Sequence, residues 1–561
     1  MTANSENKNQ WLQNHAGAAA VVLTLLGFLA RLWAASGTFL NPDEALHFRL
    51  ANQPSLDLAY KAALTAAHPP LYIFLLHFWR VLGTSELWLR LPSVLAGTAF
   101  CWMFYKWLTR AAGRLAGLIG LLFVTLLPPI VALSAEVRQY TLLLAFLASA
   151  LYFLDEAFAQ NSPSRMAAFS LCLYLAMLTH YSAFLFAAAL GIYALLRIVL
   201  ERPPARLAAA WAVSQLGGLA LAVFLYKTHL SKLGAGDSRT AMQGWMSEFY
   251  LQRSYFDPAH DNPVKFLVGH SFGVFQYFFG QLAVGIAMGI FFIAGVVILL
   301  RGKGSPEART SSRRLAIFLL IPFAIAGSLS LAHFYPYGGT RHVAFLIIPA
   351  VAGVSVAMAC LAAGSTETGS TETASTETGS TEKRWDRGLA VAALVLAACI
   401  AFGKPRQPRM ERADQSRTHM ADALDFVREN MKPSDFIFVD YQTDLTLGHY
   451  FCQQRPISLD PAPANFEQFS CSGHRIVSSG YKTAWMFWAD NFPKEWQRFL
   501  QSYNPKPGDT VWIFQAGWGV DLPADLQKHF AEFRNLHSES FGKNIKIFKM
   551  TAGQPMPASA P

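Results

Sequence analysis

From residue 17 to residue 403 the chain repeats one pattern: apolar runs of roughly 18 to 22 residues separated by short polar loops. Each run is long enough to cross a hydrocarbon core of about 30 Å, so the pattern predicts a polytopic, all-α membrane domain. The predicted spans are 16–36, 88–108, 115–134, 139–157, 166–180, 182–199, 207–227, 281–300, 315–333, 343–362 and 388–403, about eleven by the length criterion. Leu71–Leu82 and Phe266–Phe279 are shorter and rich in aromatic residues, which suits interfacial helices. Past residue 403 the pattern changes. Ala421–Glu429 has helical periodicity, while Phe436–Val439, Thr510–Phe514 and Ile545–Phe548 read as strands, with a helix around Asp525–Phe533. Strands alternating with helices predict a small α/β domain over 404–561.

Composition agrees with a membrane protein: 53% of the 561 residues are hydrophobic and only 15% charged. The net charge of +10 is not a nucleic-acid signal, because the Lys and Arg residues lie in short loops rather than along a surface stripe. Those loops hold Lys106, Arg110 and Arg114; Arg165; Arg197, Arg202 and Arg206; Arg301, Lys303, Arg309, Arg313 and Arg314; and Lys383, Arg384 and Arg387. The positive-inside bias makes them cytoplasmic, places residues 1–15 with them, and puts the C-terminal domain outside. The first run has no small-residue cleavage pattern at its end and reads as an uncleaved helix. A Ser-Thr-Glu-Thr-Gly repeat cannot bury a core, so residues 364–387 of the membrane domain (16–403) are expected to form a disordered cytoplasmic loop.

Polar motifs gather at the outer ends of the predicted helices. Asp43-Glu44 follows the first span on a polar loop, in Asn41-Pro42-Asp43-Glu44-Ala45-Leu46-His47. A carboxylate in a partly dry cavity can take a proton from an attacking hydroxyl or amine, which makes Asp43 the candidate base and Glu44 its neighbour. Asn-Pro-Asp-Glu is also a good helix start, and both readings can hold. His47 lies four residues on, sharing a face with Asp43 if the segment is helical. Arg90, Arg138 and Arg341 come from separate segments, and guanidinium forks suit phosphate; at the level of the outer leaflet the obvious phosphate belongs to a lipid. Gly338-Gly339 lets backbone approach closely beside Arg341, while Glu136 could instead pair with Arg138. His68, His180 and His342 can donate to phosphate; Tyr72, Tyr140 and Tyr181 are interface aromatics or sugar-stacking residues. No two histidines have ligand spacing on one helix, so no metal is assigned. Cys452 and Cys471 lie outside the apolar runs and are a disulfide or two thiols; outside the cytoplasm the disulfide is plausible.

The Asp-Glu pair, His68-Pro69-Pro70-Leu71-Tyr72, Leu89-Arg90-Leu91-Pro92-Ser93, Glu136-x-Arg138-x-Tyr140 and Arg341-His342 resemble, in order and spacing, the membrane glycosyltransferases of the GT-C fold. The branch they look like is that of protein O-mannosyltransferases and the lipid A aminoarabinose transferase. The resemblance spans residues 16 to about 403. It implies an inverting transferase in a bacterial cytoplasmic membrane, with a polyprenyl-phosphate sugar as donor and a glycan, lipid or protein as acceptor. It implies no required cofactor. By position, Asp43 matches the family's catalytic carboxylate, His68 a polar residue near the donor phosphate, and Arg138 and Arg341 phosphate contacts, with Arg90 structural or phosphate-facing. His342 stands where tyrosine often follows the late arginine. There is no Trp-Trp-Asp motif, which speaks against an oligosaccharyltransferase. The rival class is a transporter or flippase of a lipid-linked or anionic solute; such proteins usually carry midplane polar residues and internal repeats, and neither is evident. A third reading is a scaffold whose outer domain recruits other enzymes.

Overall fold

The computed structural model describes residues 3–232, 251, 253–364, 377–402, 414–459, 466–480, 484–518, 521–534 and 536–553. The chain divides into two compact units. One comprises residues 1–34, 67–71 and 90–407; the other comprises 35–66, 72–89 and 408–561. The sequence placed the boundary at residue 403; the contacts also draw the first loop and the Tyr72–Leu89 segment into the C-terminal unit.

The first unit is a helical membrane domain. Among the described residues, eight helices are long and apolar enough to cross a membrane: Ala16–Ala35, Glu86–Ala112, Tyr140–Ala159, Ala183–Glu201, Ala205–Lys232, Leu282–Leu300, Ser312–Leu331 and Arg341–Cys360. A ninth is the pair Arg114–Leu126 and Pro128–Ser134, bent by 60°. Two expected spans fall short of that length. Residues 166–180 lie in the 17-residue helix Pro163–Thr179, and the apolar part of the last helix is only Gly388–Ala401. Lipid-facing positions such as Leu25, Leu29, Val213, Leu216 and Leu394 are exposed, as apolar residues bathed in hydrocarbon should be. Inside, helices approach closely where side chains vanish: a Cβ on Gly295 would sit 2.1 Å from the carbonyl oxygen of Gly353. The segment expected to be wholly disordered is helical from Glu377, where the last span's helix extends back into the repeat; residues 365–376 lie outside the described residues.

The break at Pro128 has a specific partner. Pro128 and Pro129 have no N–H, so the carbonyls of Val124 and Thr125 lose their normal helical donors. Arg31, fully buried, supplies them: its guanidinium donates to Val124 O at 2.8 Å and Thr125 O at 2.9 Å. It also donates to Ser134 Oγ and Gly27 O. A buried cation is thereby matched to two carbonyls that the prolines orphaned.

The second unit is built on a six-stranded sheet. Its strands are β1 (Phe436–Val439), β2 (Glu467–Cys471), β3 (His474–Ser478), β4 (Thr510–Ala516), β5 (Ser538–Phe541) and β6 (Ile545–Thr551). Their order is β2-β3-β1-β4-β6-β5, with β1 parallel to β3 and β4 and the remaining pairs antiparallel. The period-two alternation gives the sheet two apolar faces. Ile437, Val439, Trp512 and Phe514 pack with the helix Arg417–Asn430, whose Met420, Ala423, Leu424 and Val427 form one stripe. Phe436, Phe438, Val511 and Ile513 pack with Phe492, Trp496 and Phe499 of the helix Phe492–Tyr503.

The sequence did not show β2, β3, β5 or the helices Tyr441–Tyr450 and Phe492–Tyr503. Tyr441–Tyr450 contains two threonines and Gly448, which are weak helix formers, and is helical because Asp440 caps it and the unit buries it. Cys452 and Cys471 are joined by a disulfide. Phe39, from the first loop, sits in the core beside the Arg417–Asn430 helix, and Phe39 N donates to Gln415 O. A unit packed this way cannot straddle a bilayer.

Candidate active site

The acidic motif is helical. Pro42–Ala51 forms a helix with Pro42 at its first position and Asn41 as cap. Asn41 Oδ1 accepts from Glu44 N, and Glu44 Oε2 accepts from Asn41 N, both at 3.0 Å. This reciprocal capping box holds Glu44 fully buried, so its carboxylate shapes the turn. Asp43 is the half-buried member of the pair. His47 donates from Nδ1 to Asp43 O at 2.7 Å, since a carbonyl can only accept; this fixes the tautomer of the neutral ring. The buried Tyr72 ring lies edge-on to His47, centroids 6.0 Å apart. Asp43, Glu44, His47 and Tyr72 all belong to the second unit.

The remaining candidates belong to the membrane unit, where several of them converge. Between the bent pair and the helix Tyr140–Ala159 runs a short non-helical stretch carrying Glu136, Arg138 and Gln139. It is pinned from the helix Glu86–Ala112: Ser93 Oγ donates to Arg138 O and Thr141 Oγ1 donates to Ser93 O, each at 2.9 Å. Arg90, buried, precedes Ser93 by one turn on the same helical face. The guanidinium carbons of Arg138 and Arg341 lie 5.6 and 5.8 Å from the Tyr140 ring centroid. Tyr140 is also 5.2 Å from the His180 ring, and His68 stacks on His180 at 5.1 Å. His342 lies within electrostatic reach of His180. Five segments distant in sequence thus meet around Tyr140 and His180.

Among the described residues, both side-chain polar atoms of Gln139, the Tyr140 hydroxyl, His180 Nε2 and Thr340 Oγ1 are buried with no hydrogen-bond partner. Buried polar atoms are rarely left so, and a cluster of them marks where a polar ligand or water belongs. The protonation of His180 follows from its neighbours. Its Nδ1 accepts from Ser182 N–H at 3.1 Å, so the ring proton sits on Nε2, which faces the cluster as a donor.

The loop before Arg341 is locked. Tyr337 N donates to Ser254 O, its hydroxyl bonds Ser271 at 2.6 Å, and Gly338 has φ +144°, with His270 where a Cβ would point. The close approach expected at this glycine pair is made to His270. Tyr181 does not join the cluster: its hydroxyl bonds His229 Nδ1 at 2.5 Å. Gln139 and Thr340 stand inside the sequence motifs beside Arg138 and Arg341 but carry no role there; only their burial singles them out. Among the described residues, no group of three or more His, Cys, Asp or Glu residues could hold a metal.

Residues 67–228 match the family model described as dolichyl-phosphate-mannose-protein mannosyltransferase. The structure is similar to that of ArnT from Cupriavidus metallidurans in the apo state, with a TM-score of 0.51 and 12% identity over 97% of this chain and 100% of that one. The chain has the GT-C fold. The same ArnT bound to undecaprenyl phosphate gives a TM-score of 0.48 at 13% identity, covering 96% of this chain and 99% of that chain. The apo oligosaccharyltransferase of Archaeoglobus fulgidus gives 0.47 at 11% identity, covering 90% of this chain and 70% of that chain. No curated protein matches the sequence. The family-model match begins one residue before His68 and includes Arg90, Arg138, Tyr140, His180 and Tyr181, while Thr340, Arg341 and His342 of the polar cluster lie beyond it in this multi-pass membrane protein.

Proposed function

We propose that this GT-C protein is an inverting glycosyltransferase that moves a sugar from a polyprenyl-phosphate donor to an acceptor hydroxyl or amine. The observation that carries the reading is the Tyr140–His180 cluster: two guanidinium groups over one ring, beside buried polar atoms of Gln139, Tyr140, His180 and Thr340 that have no hydrogen-bond partner among the described residues. A phosphate monoester or diester presents several oxygens and negative charge, and is the ligand class that satisfies such a set. The polar and cationic cluster lies within a membrane unit, which suits a phosphate carried on a lipid. The family model's dolichyl-phosphate-mannose donor is of this kind.

In this reading Arg138, Arg341, the Tyr140 hydroxyl and His180 Nε2–H hold the phosphate. Asp43 accepts the proton of the acceptor O–H or N–H as that atom bonds to the anomeric carbon. The bond from that carbon to the phosphate oxygen breaks on the opposite side of the sugar, and polyprenyl phosphate leaves with the electron pair. The arginines offset the charge that develops on it, so no acid need protonate it. Glu44 holds the turn that presents Asp43. The positive loops then face the cytoplasm, and the first loop and C-terminal unit lie on the outer side of the cytoplasmic membrane.

The test is turnover of a polyprenyl-phosphate sugar by the purified protein in vesicles, comparing Asp43→Asn with the native chain. Loss of at least about a thousandfold is expected with folding intact. Native-level transfer by the variant would remove Asp43 from the mechanism, and inability of the native chain to transfer any sugar while moving the intact lipid across the bilayer would favour the flippase class.

A further inference from the structure

The helix that carries Asp43 has its own mount. Arg49, on that helix and 1% exposed, donates from Nε to Arg455 O at 2.9 Å and from one terminal nitrogen to Asp444 O at 2.8 Å and Asp444 Oδ1 at 3.1 Å. Asp444 is itself 2% exposed and belongs to the helix Tyr441–Tyr450. Gly448, one turn further, leaves room for the guanidinium to lie flat on that helix: a Cβ there would sit 2.6 Å from Arg49 Cζ. The backbone follows the side chain. Ile457 N donates to Arg49 O, Asn52 Nδ2 to Gln454 O at 2.6 Å, and Gln53 Nε2 to Ile457 O at 2.9 Å. Just before the other end of the same helix, Leu40 N donates to Tyr450 Oη at 2.7 Å, and beside Arg49 the Phe48 ring meets His449 edge-on.

We propose that Arg49 is a positioning residue for Asp43, and that the C-terminal α/β unit serves as the rigid mount of the helix Pro42–Ala51. The inference rests on the reading of Asp43 as base. Arginine is required because one planar fork must serve three acceptors, two of them backbone carbonyls, while its charge meets the buried Asp444. A helix of ten residues has little stability of its own, so its orientation is set by what holds it. A base displaced by about 1 Å loses on the order of a hundredfold in rate, which gives such a mount its value.

Two variants attack the mount in different ways. Arg49→Met removes the fork, and Gly448→Ala pushes it away while leaving every charge in place. The experiment combines hydrogen exchange of the amides of residues 45–51 with donor kinetics in vesicles, using a polyprenyl-phosphate sugar. For both variants we expect exchange at least about tenfold faster in that helix with β1 unchanged, kcat lowered at least about tenfold, and donor KM within about twofold. Arg49→Lys, which keeps the charge without the fork, should fall between native and Arg49→Met. Unchanged exchange in both variants would overturn the mount. Faster exchange with native kcat would overturn the positioning role. The outcomes separate this inference from the functional reading: native-level transfer by Asp43→Asn removes the base, whereas the exchange measurement reads the mount without reference to turnover.

Discussion

Arg31 donates to the carbonyl oxygen of Val124 at 2.8 Å, although the two residues are 93 positions apart. The contact exists because Pro128 denies that carbonyl its helical donor, and the same holds for Thr125 and Pro129. The break sits one short helix before the Glu136–Tyr140 stretch. A buried cation in a membrane helix therefore has a structural task, joining the first span to the bend in the third predicted one.

Arg31→Leu should accordingly destabilise the protein by about 2–4 kcal/mol, because Thr125 O loses its guanidinium donor and Val124 O keeps only the weak Cys101 Sγ–H. The check is thermal unfolding of the detergent-purified protein. Arg31→Lys should recover only part of the loss, since one ammonium cannot span the set of acceptors that the guanidinium reaches. Native stability in the leucine variant would show that the prolines' carbonyls are satisfied without Arg31.

Tyr140→Phe removes a buried hydroxyl that bonds nothing among the described residues while leaving the ring between Arg138, Arg341 and His180. Stability should be unchanged or slightly higher. Affinity for a polyprenyl phosphate in nanodiscs should fall about ten- to a hundredfold, the value of one hydrogen bond to a charged group. Arg138→Gln and Arg341→Gln should each fall further, by at least about a hundredfold. Equal binding by all three variants would place the phosphate elsewhere.

Reduction of the Cys452–Cys471 disulfide, or Cys452→Ser with Cys471→Ser, should destabilise the C-terminal unit by about 2–4 kcal/mol, since the bond closes a 19-residue separation. Calorimetry of the whole protein with and without reductant measures this. The double serine variant should show no further response to reductant.

Asp440 gives a pH dependence. Its carboxyl is held at about 6 by burial, although Thr443 N and Phe487 N donate to it. Unfolded, it titrates near 3.8. Between those values the folded state keeps a proton that the unfolded state has released, so stability contributed by this group falls as pH rises and levels off above about 6. Asp440→Asn, which cannot ionise but keeps an acceptor for only one of the two N–H groups, should remove that slope at some cost in stability. The stability of the native protein relative to the variant should decline by about 2–3 kcal/mol from pH 4 to pH 7. A flat difference would mean that Asp440 is ionised throughout.

What the sequence determined by itself is the class of molecule and the identities of the chemical groups. Spans of bilayer length, basic loops and a period-two pattern after residue 403 are local properties, and local properties are written in residue order. The ordered motifs likewise pointed to Arg138, Tyr140 and Arg341 before any contact was known. Tertiary structure decided the rest, for reasons that no local pattern carries. Tyr181 leaves the cluster because His229, 48 positions on, lies beside it. Gln139 and Thr340 gain meaning only from burial without a partner. Arg49 lies outside every sequence motif, yet its fork closes on Asp444 and Arg455, about 400 residues further along the chain. Such pairings depend on which surfaces the fold removes from water together, and that is settled by packing over the whole chain.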